Sequence, residues 1–272
     1  MDMFNVLKAS GKTELFSEEK LRASIRRVGI PQNLQDEVIA IIKSRIYEGI
    51  STLEIYKYIM EFLKDSTYPS SRTKYSLKQS IMDLGPTGYP FEDYISEILK
   101  MEGYQTRVRQ ILQGKCISHE IDIVAEKDGK KSMIECKFHN LPGTRSQIHV
   151  PLYTKARFDD IKEKNNLSDV WLISNTKVTP DSLNYALCSN MKVISWDYPE
   201  KGSFRDLIEK YKLYPITTFL GLSQNQKQLL AEQHIVLAKE VCKNPSVLDF
   251  LGLPKDKKDL ILLECQIYND KI

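Results

Sequence analysis

The residues with the clearest chemical potential are one aspartate and a Glu-x-Lys triplet. Asp122 lies in the string His-Glu-Ile-Asp-Ile-Val (119–124), and Glu135 and Lys137 lie in Met-Ile-Glu-Cys-Lys (133–137). Carboxylate oxygens are the ligands that Mg²⁺ and Mn²⁺ prefer, and these cations keep water in their remaining positions. Such a cation activates water and neutralises phosphodiester charge, while a lysine can orient the water. The residue types therefore favour hydrolysis of phosphodiester bonds.

Strand geometry predicts how these residues meet. Side chains alternate between the faces of a strand, so Glu135 and Lys137 share one face, whereas Cys136 between them points to the core. Asp122 lies between two isoleucines on the preceding predicted strand and also faces away from that strand's apolar side. Asp128-Gly129 is a hairpin signal that would join the two strands. We predict that the three polar side chains converge on one open face, where the Cys136 carbonyl could be a further metal ligand.

Two plainer interpretations of the same segment stay open. An aspartate and a Glu-x-Lys triplet on adjacent strands could form a surface ion pair. Cys116 with His119 and Cys136 with His139 offer two thiols and two imidazoles, which are ligands of structural zinc. Strand alternation argues against the zinc site, because residues three apart point to opposite faces.

The elements that must position these residues follow an α/β pattern. The spacing of apolar residues predicts helices over 91–102, 154–164 and 181–189, and strands over 105–111, 116–126, 131–138, 170–174 and 192–196. Hairpin strands followed by strand–helix alternation indicate a mixed sheet flanked by helices.

Asp122, Glu135 and Lys137, preceded by an amphipathic helix that contains Glu92, resemble the PD-(D/E)XK nuclease superfamily and, within it, the Mrr-type restriction endonucleases. The resemblance covers about residues 89–211. It implies a restriction-endonuclease-like fold, a DNA substrate, and Glu92 as a further member of the metal site. The proline of the motif's name is absent, since Ile121 stands before the aspartate. Candidates for the family's later polar position, or for the same face, are Gln147, His149, Tyr153 and Lys155.

The N-terminal segment has an organisation of its own. Two short strand-like runs, Phe4 to Lys8 and a second through Leu15 and Phe16, precede a helix that Ser17 caps and that should end at Gly29. Further helices are predicted over 34–47, from 51–52 onward, and over 71–84. The clearest linker is the Gly-Pro-Thr-Gly stretch at 85–88.

This segment resembles the ATP-cone, the nucleotide-sensing domain of ribonucleotide reductases and their repressor. The resemblance is carried by Val-Leu-Lys (6–8), Gly-Lys-Thr-Glu (11–14), Phe-Ser (16–17), Lys-Leu (20–21) and Gly-Ile-Ser-Thr (49–52). It implies that ATP or dATP is contacted by Lys8, Glu14, Ser17, Lys20 and Thr52. Ala9-Ser10 replace the family's usual Arg-Asp, which leaves the choice of nucleotide open. The alternative is a small helical domain with ordinary surface lysines. The segment contains no Walker A loop, so the resemblance does not imply ATP hydrolysis.

The tail from residue 213 is predicted to be mostly helical, with main helices over 222–242 and 254–268 and His234 on a helix surface. Its two Leu-Gly-Leu turns resemble helix-hairpin-helix units that hold DNA phosphates. The plainer interpretation, which we favour, is a helical bundle that covers the sheet or forms a dimer interface. The predicted domains are therefore 1–88, 89–212 and 213–272.

Composition constrains the setting only loosely. A net charge of +3, from 39 basic and 36 acidic residues, permits an anionic polymer as partner without requiring one. Apolar runs are too short for a membrane span, and the N-terminus lacks the order of a signal peptide. Five cysteines without a Cys-x-x-Cys pair predict reduced thiols and a cytoplasmic location.

Taken together, these patterns predict a nucleotide-regulated DNA endonuclease that uses Mg²⁺ or Mn²⁺, acting in defence against foreign DNA or in repair. Cutting both strands of a duplex needs two sites, so we expect a homodimer or a larger homo-oligomer. The alternatives are a nucleotide-sensing regulator that binds nucleic acid without cutting it, and an RNA nuclease.

Overall fold

The structure, a computed structural model, describes residues 4–27, 30–64 and 69–268. The chain divides into two compact units, one ending at Gln79 and the other beginning at Ser80. The predicted end of the first helix at Gly29 lies outside the described residues. The boundaries predicted at 88/89 and 212/213 stay predictions.

The first unit joins a small sheet to four helices. Its elements are β1 (Asn5–Leu7), β2 (Thr13–Leu15), α1 (Glu18–Arg27), α2 (Gln32–Arg45), β3 (Ile50–Ser51), α3 (Thr52–Lys64) and α4 (Pro69–Met82). β1 pairs antiparallel with β2 and parallel with β3. Sequence reasoning missed β3, because a two-residue strand has no periodicity to detect.

Local capping explains where two of these helices begin. The Ser17 hydroxyl accepts the backbone N–H of Lys20 at 3.2 Å, as predicted for an N-cap. At α3, Ser51 and Glu54 form a reciprocal capping box, with each side chain accepting the other's backbone N–H. The helices bury an aliphatic cluster that includes Ile25, Ile42 and Ile59.

The second unit is built on a five-stranded mixed sheet. Its elements up to residue 211 are α5 (Tyr89–Met101), β4 (Gln105–Gln113), β5 (Ser118–Lys127), β6 (Lys130–Lys137), α6 (His149–Asn165), β7 (Leu167–Ser174), α7 (Pro180–Cys188), β8 (Lys192–Ile194) and α8 (Phe204–Tyr211). The strands follow chain order, with β4–β5–β6 antiparallel and β6–β7–β8 parallel. Asp128 and Gly129, both at positive φ, form the predicted hairpin turn. The predicted α/β sheet is confirmed.

Aromatic packing fixes α5, the helix that carries Glu92. Phe91 and Tyr94 are fully buried, and both lie edge-on to Phe204 of α8. The Tyr94 hydroxyl donates to the carbonyl of Leu213, which leads into the C-terminal region. Sequence reasoning did not separate α8, although Ser203 and Asp206 form a capping box at its start.

The C-terminal region has shorter helices than predicted. It contains α9 (Gln224–Glu232), α10 (Ala238–Lys243) and α11 (Lys255–Glu264), with 3₁₀ turns between them. The single helix predicted over 222–242 is wrong, because the chain turns at His234 (φ 60°) and then runs extended. Val236 and Leu237 are fully buried in this extended stretch, where the Val236 carbonyl accepts the N–H of Ile216 and Leu237 pairs with Pro215. His234 therefore lies in a turn and not on a helix surface.

The cysteine prediction is wrong for two residues. Cys242 and Cys265 form a disulfide, while Cys116, Cys136 and Cys188 are free. The two partners are 23 residues apart in sequence, and only the packing of α10 against the 3₁₀ turn after α11 brings their Cα atoms to 5.4 Å.

No helix within the described ranges is both long and apolar enough to span a membrane.

We expect loss of this disulfide to destabilise the second unit. Cys265→Ser should lower the free energy of unfolding by about 3 kcal/mol, because the closed loop restricts the unfolded chain. Urea unfolding can be followed by tryptophan fluorescence, since Trp171 and Trp196 both lie in this unit. Cys188→Ser, at an exposed free thiol, is the matched control. Equal midpoints for wild type and Cys265→Ser would contradict the prediction.

Candidate functional site

An irregularity in β4 and β5 shapes the centre of the sheet. Val108 pairs with Ile123 and Gln110 with Ile121, but Arg109 between them has a φ of 51°, which is uncommon for a residue with a side chain. Ile121 and Val124 pack into one core cluster although a regular strand sends residues three apart to opposite faces. The strands are therefore distorted beside Asp122, although their pairing register is unbroken.

Asp122 lies where the ladder between β5 and β6 stops. The last pair is Ile123 with Ile134, and one residue further Oδ2 of Asp122 accepts the backbone N–H of Cys136 at 2.7 Å. A side-chain carboxylate thus takes the place of a backbone acceptor. Burial raises the pKa of Asp122, and this N–H bond opposes the rise.

Glu135 lies beside Asp122 and is held by an arginine of α6. Nη1 of Arg157 donates to Oε2 of Glu135 at 2.6 Å, and its Nη2 donates to the carbonyl of Glu120. Burial and the charge of Asp122 raise the pKa of Glu135 to about 7, against the opposing charges of Arg157 and Lys137. The two carboxylates are neighbours, because Asp122 accepts the N–H of Cys136, the residue that follows Glu135.

Sequence reasoning missed Arg157. A signal for it was present, because Val150, Thr154, Arg157 and Ile161 share the buried face of α6. A cation on such a face requires an anionic partner, so the helix pattern could have indicated a buried carboxylate opposite it.

Glu92 enters from α5 and is 8% exposed. Its Oε2 accepts a hydrogen bond from Nη1 of Arg109 at 3.1 Å. Burial and the charge of Asp122 raise the pKa of Glu92 to about 7. The structure thus brings Glu92, Asp122 and Glu135 into electrostatic contact from three different elements.

Lys137 provides the available cation of this cluster. Its side chain is half-buried, and within the part of the chain that the structure describes no hydrogen bond or ion pair holds its ammonium group. Its charge nevertheless opposes the raised pKa values of Asp122 and Glu135, and it adds to the burial that lowers the pKa of His139. The ammonium therefore lies near the carboxylates without being bound by them.

The later polar candidates lie on or just before α6. The ring of Tyr153 lies 5.3 Å from the Arg157 guanidinium, so this tyrosine covers the arginine that holds Glu135. Lys155 forms an ion pair with Asp159 one turn along the helix. His149 is the first residue of α6, and Gln147 precedes it.

The donor chemistry of the site fits a hard divalent cation. Across residues 4–27, 30–64 and 69–268, no group of three or more His, Cys, Asp or Glu side chains is arranged to hold a metal ion. Arginines instead hold Glu92 and Glu135. Two partly buried carboxylates, Asp122 and Glu135, and the neighbouring Cys136 carbonyl are nevertheless oxygen donors of the kind that Mg²⁺ and Mn²⁺ take together with water. Burial raises the pKa of both carboxyl groups, and a bound cation would favour their ionised forms.

The zinc alternative is not supported. Cys116 is exposed, and His119 bonds to Asp160 at 2.9 Å. The Cys136 thiol is buried, and burial raises its pKa well above the ordinary range. His139 bonds to Ser146 at 3.1 Å.

The residues predicted to contact a nucleotide lie in one region of the first unit. Glu14 accepts hydrogen bonds from Lys8 at 2.6 Å and from Lys20 at 3.0 Å, and these bonds lower its pKa. Ser17 caps α1 beside Lys20. Thr52 and Lys8 come close in the fold, because Ser51, which precedes Thr52, pairs with Leu7, which precedes Lys8. Lys8, Lys20 and the start of α1 thus lie in one region around Glu14.

Comparisons with known proteins agree with this architecture. Residues 4–82 match the ATP cone domain, residues 86–200 match a restriction endonuclease family, and residues 214–266 match the AF1548-like C-terminal family. The predicted resemblances to the ATP-cone and to Mrr-type restriction endonucleases are therefore confirmed.

The matches to individual relatives cover most of each relative's length. An uncharacterized protein of Archaeoglobus fulgidus is 35% identical over 173 residues, which cover 63% of this chain and 98% of that protein. The crystal structure of the protein of unknown function AF1548 is 33% identical, with a TM-score of 0.60 over 66% of this chain and 97% of that one. Can2 from Sulfobacillus thermosulfidooxidans, solved with cyclic tetra-adenylate, is 13% identical with a TM-score of 0.32, covering 74% and 64%, which is too distant to bear on function. The chain belongs to the AF1548-like family, and it carries an ATP-cone domain ahead of its restriction-endonuclease domain.

Proposed function

We propose that this protein is a metal-dependent DNA endonuclease whose activity is set by an adenine nucleotide bound to its ATP-cone domain. The observation that carries the proposal is the cluster at the end of the β5–β6 ladder. There, the partly buried carboxylates of Asp122 and Glu135 lie beside the unclaimed ammonium of Lys137. This arrangement concentrates negative charge and one free cation at a single point in a domain of the nuclease class.

A divalent cation would be held by Asp122, Glu135 and the Cys136 carbonyl, with Glu92 as a further carboxylate. Its chemistry is to make bound water a better nucleophile and to neutralise charge on the phosphodiester. Asp122 is already oriented for this role, because the Cys136 N–H fixes one of its oxygens. Glu135 would have to share its carboxylate between the cation and Arg157.

Lys137 would act directly on the substrate. Its ammonium has three N–H donors, and a phosphate oxygen or the attacking water can accept from them. Donors aimed at the place where negative charge develops stabilise a transition state more than the ground state. Arg157 is less available for this role, because its two terminal nitrogens, Nη1 and Nη2, donate to Glu135 and to the Glu120 carbonyl.

A cavity on the face of the sheet that α6 covers supports a polyanionic substrate. It has a volume of about 280 Å³ and is lined by the cations Arg107, Lys131 and Lys164 together with three side-chain amides and apolar residues. No carboxylate lines it. Lys131 lies near the start of β6 and Lys137 at its end, so a nucleic acid bound at the cluster would have to extend along the strand to reach these cations. They would then contribute a salt-dependent share of the affinity.

The remaining parts of the proposal rest on the chemistry of the substrate and on the family. Cutting both strands of a duplex needs two such sites, so we propose a homodimer or larger assembly. A role in restriction or repair follows from fold analogy alone. The competing functions, a regulator that does not cut and an RNA nuclease, differ in what they do to DNA in the presence of Mg²⁺.

Cleavage of DNA should require both the divalent cation and Lys137. Supercoiled plasmid incubated with Mg²⁺ or Mn²⁺ should be cut by the wild type, and EDTA should abolish cutting. Lys137→Ala should cut at least about 100-fold more slowly, because a donor to the developing charge is lost. Gel assays with and without ATP or dATP would show whether the nucleotide changes the rate.

The control for this experiment is Lys130→Ala, an exposed lysine at the opposite end of β6. It should cut like the wild type. An intact plasmid under every condition would sink the DNA endonuclease proposal. Parallel cleavage of single-stranded RNA would then favour the RNA nuclease, and binding of either substrate without cutting would favour the regulator.

The second prediction concerns Arg157. Arg157→Ala should lower the free energy of unfolding of the second unit by about 3 kcal/mol in EDTA, because Glu135 loses its partner in a buried position. Mn²⁺ should restore part of the loss, since a cation can replace the guanidinium charge. Lys162→Ala removes the exposed ion pair with Asp159 on the same helix and should leave the free energy of unfolding almost unchanged, because solvent screens such a pair. Equal losses in both variants, measured by tryptophan fluorescence in urea, would contradict this role.

The third prediction concerns the nucleotide. Lys8→Ala and Lys20→Ala should each weaken ATP or dATP binding roughly tenfold, because each removes a charge-assisted donor to phosphate. Isothermal titration calorimetry measures the affinity directly. Lys57→Ala, at an exposed position of α3, is the matched control. Unchanged affinity in both test variants would place the nucleotide elsewhere.

A further inference from the structure

A line of hydrogen bonds runs from the C-terminal region to Glu92. Nδ1 of His234 lies 2.9 Å from Oδ2 of Asp93. The other oxygen of Asp93 accepts from Nη2 of Arg109 at 2.7 Å, and Nη1 of Arg109 donates to Glu92 at 3.1 Å. Each member therefore contacts the next, and the line ends on a carboxylate that interacts with Asp122.

Two members of this line, Arg109 and His234, have an unusual backbone conformation. Arg109 has a φ of 51° and His234 a φ of 60°, in the left-handed region that residues with side chains seldom adopt. Such conformations persist only where the surrounding structure holds them, and they cluster at functional sites. Here one places the arginine in the distorted stretch beside Asp122, and the other places the imidazole on Asp93.

Arg109 is divided between two adjacent carboxylates. Glu92 and Asp93 are consecutive on α5, and the two nitrogens of the guanidinium fork reach one each. The shorter contact is to Asp93, so Asp93 draws the guanidinium away from Glu92. Among the described residues, no donor is bonded to Oε1 of Glu92. That oxygen stays available to a cation while Asp93 and His234 hold the arginine in place.

We propose that His234, Asp93 and Arg109 are positioning residues through which the C-terminal region sets the affinity of the Glu92–Asp122–Glu135 cluster for a divalent cation. The inference rests on the proposed function, because it assigns the cluster a metal. Without its contact to His234, Asp93 would turn, Arg109 would bind Glu92 with both nitrogens, and the guanidinium would compete with the cation. The AF1548-like C-terminal region would thus contribute to the site without touching the substrate.

Simple electrostatics predicts the opposite sign for one variant. His234→Ala removes a group that is either neutral or positive, so charge counting predicts equal or tighter binding of a cation. The positioning role predicts weaker binding. The imidazole is 69% exposed, so its loss should leave the fold intact.

The experiment is a calorimetric titration of the full chain with MnCl₂ in the absence of nucleic acid. Asp93→Asn should weaken Mn²⁺ binding about tenfold, as loss of an outer-shell partner commonly does, and His234→Ala roughly threefold. Gln233→Ala, the exposed neighbour of His234, should bind like the wild type. His234→Asn should recover most of the affinity, because asparagine tolerates positive φ and its amide can donate to Asp93.

A double variant tests whether the residues act in series. If they do, Asp93→Asn combined with His234→Ala should bind Mn²⁺ no more weakly than Asp93→Asn alone, whereas independent effects would multiply. Thermal unfolding of each variant shows whether a loss of affinity reflects a loss of structure. Multiplied effects, or a loss of affinity that parallels a fall in melting temperature, would overturn the relay.

The outcomes separate this inference from the endonuclease proposal. Unchanged or tighter Mn²⁺ binding by His234→Ala overturns the relay even if the wild type cuts DNA. Weaker binding with rescue by His234→Asn supports the relay even if no substrate is cut, and the endonuclease proposal then fails alone. A wild type that binds no Mn²⁺ overturns the relay and the metal-dependent mechanism together.

Discussion

Burying carboxylates beside one another costs free energy unless their charge is compensated, and this cost organises the second unit. Glu92, Asp122 and Glu135 each have a raised pKa, chiefly because burial disfavours the charged forms. The charge of Asp122 adds to the rise at Glu92 and Glu135, and the charge of Glu120 adds to the rise at Asp122. Compensation comes from arginines on separate elements, Arg109 on β4 and Arg157 on α6. Arg109 makes its contacts with α5 from a position of uncommon positive φ in β4.

Apolar side chains pack around the carboxylates and hold the elements that carry them in place. Phe91 and Tyr94 pack α5 against Phe204 of α8, which fixes the position of the backbone that carries Glu92. Exclusion of water lowers the effective dielectric constant around the carboxylates, and charges interact more strongly where that constant is low. The energy of the neighbouring anions therefore rises, and their attraction for a cation becomes stronger. A site that is costly to keep anionic is for that reason well suited to hold a divalent cation.

The region of the first unit that we propose to bind nucleotide has a similar charge balance among exposed and partly exposed side chains. Glu14 neutralises Lys8 and Lys20, so a phosphate that binds there would exchange one anionic partner for another. Such an exchange alters local contacts at the start of α1 and α3. If the two states of this edge favour different states of the nuclease domain, the nucleotide biases activity by its difference in affinity between them.

The sequence by itself determined the parts of this protein that depend on local order. The strands around Asp122 and Glu135, their hairpin and the helix with Glu92 follow from the spacing of apolar and turn residues, so the candidate centre was predictable. The charges that hold it were not, because Arg157 and Arg109 act across elements and Arg109 does so from an uncommon positive φ. The break at His234 and the disulfide between Cys242 and Cys265 also arise from tertiary packing. Pairwise spacing in a chain predicts neighbours along a helix or strand, whereas compensation of a buried charge is decided by whichever residue the fold brings to it.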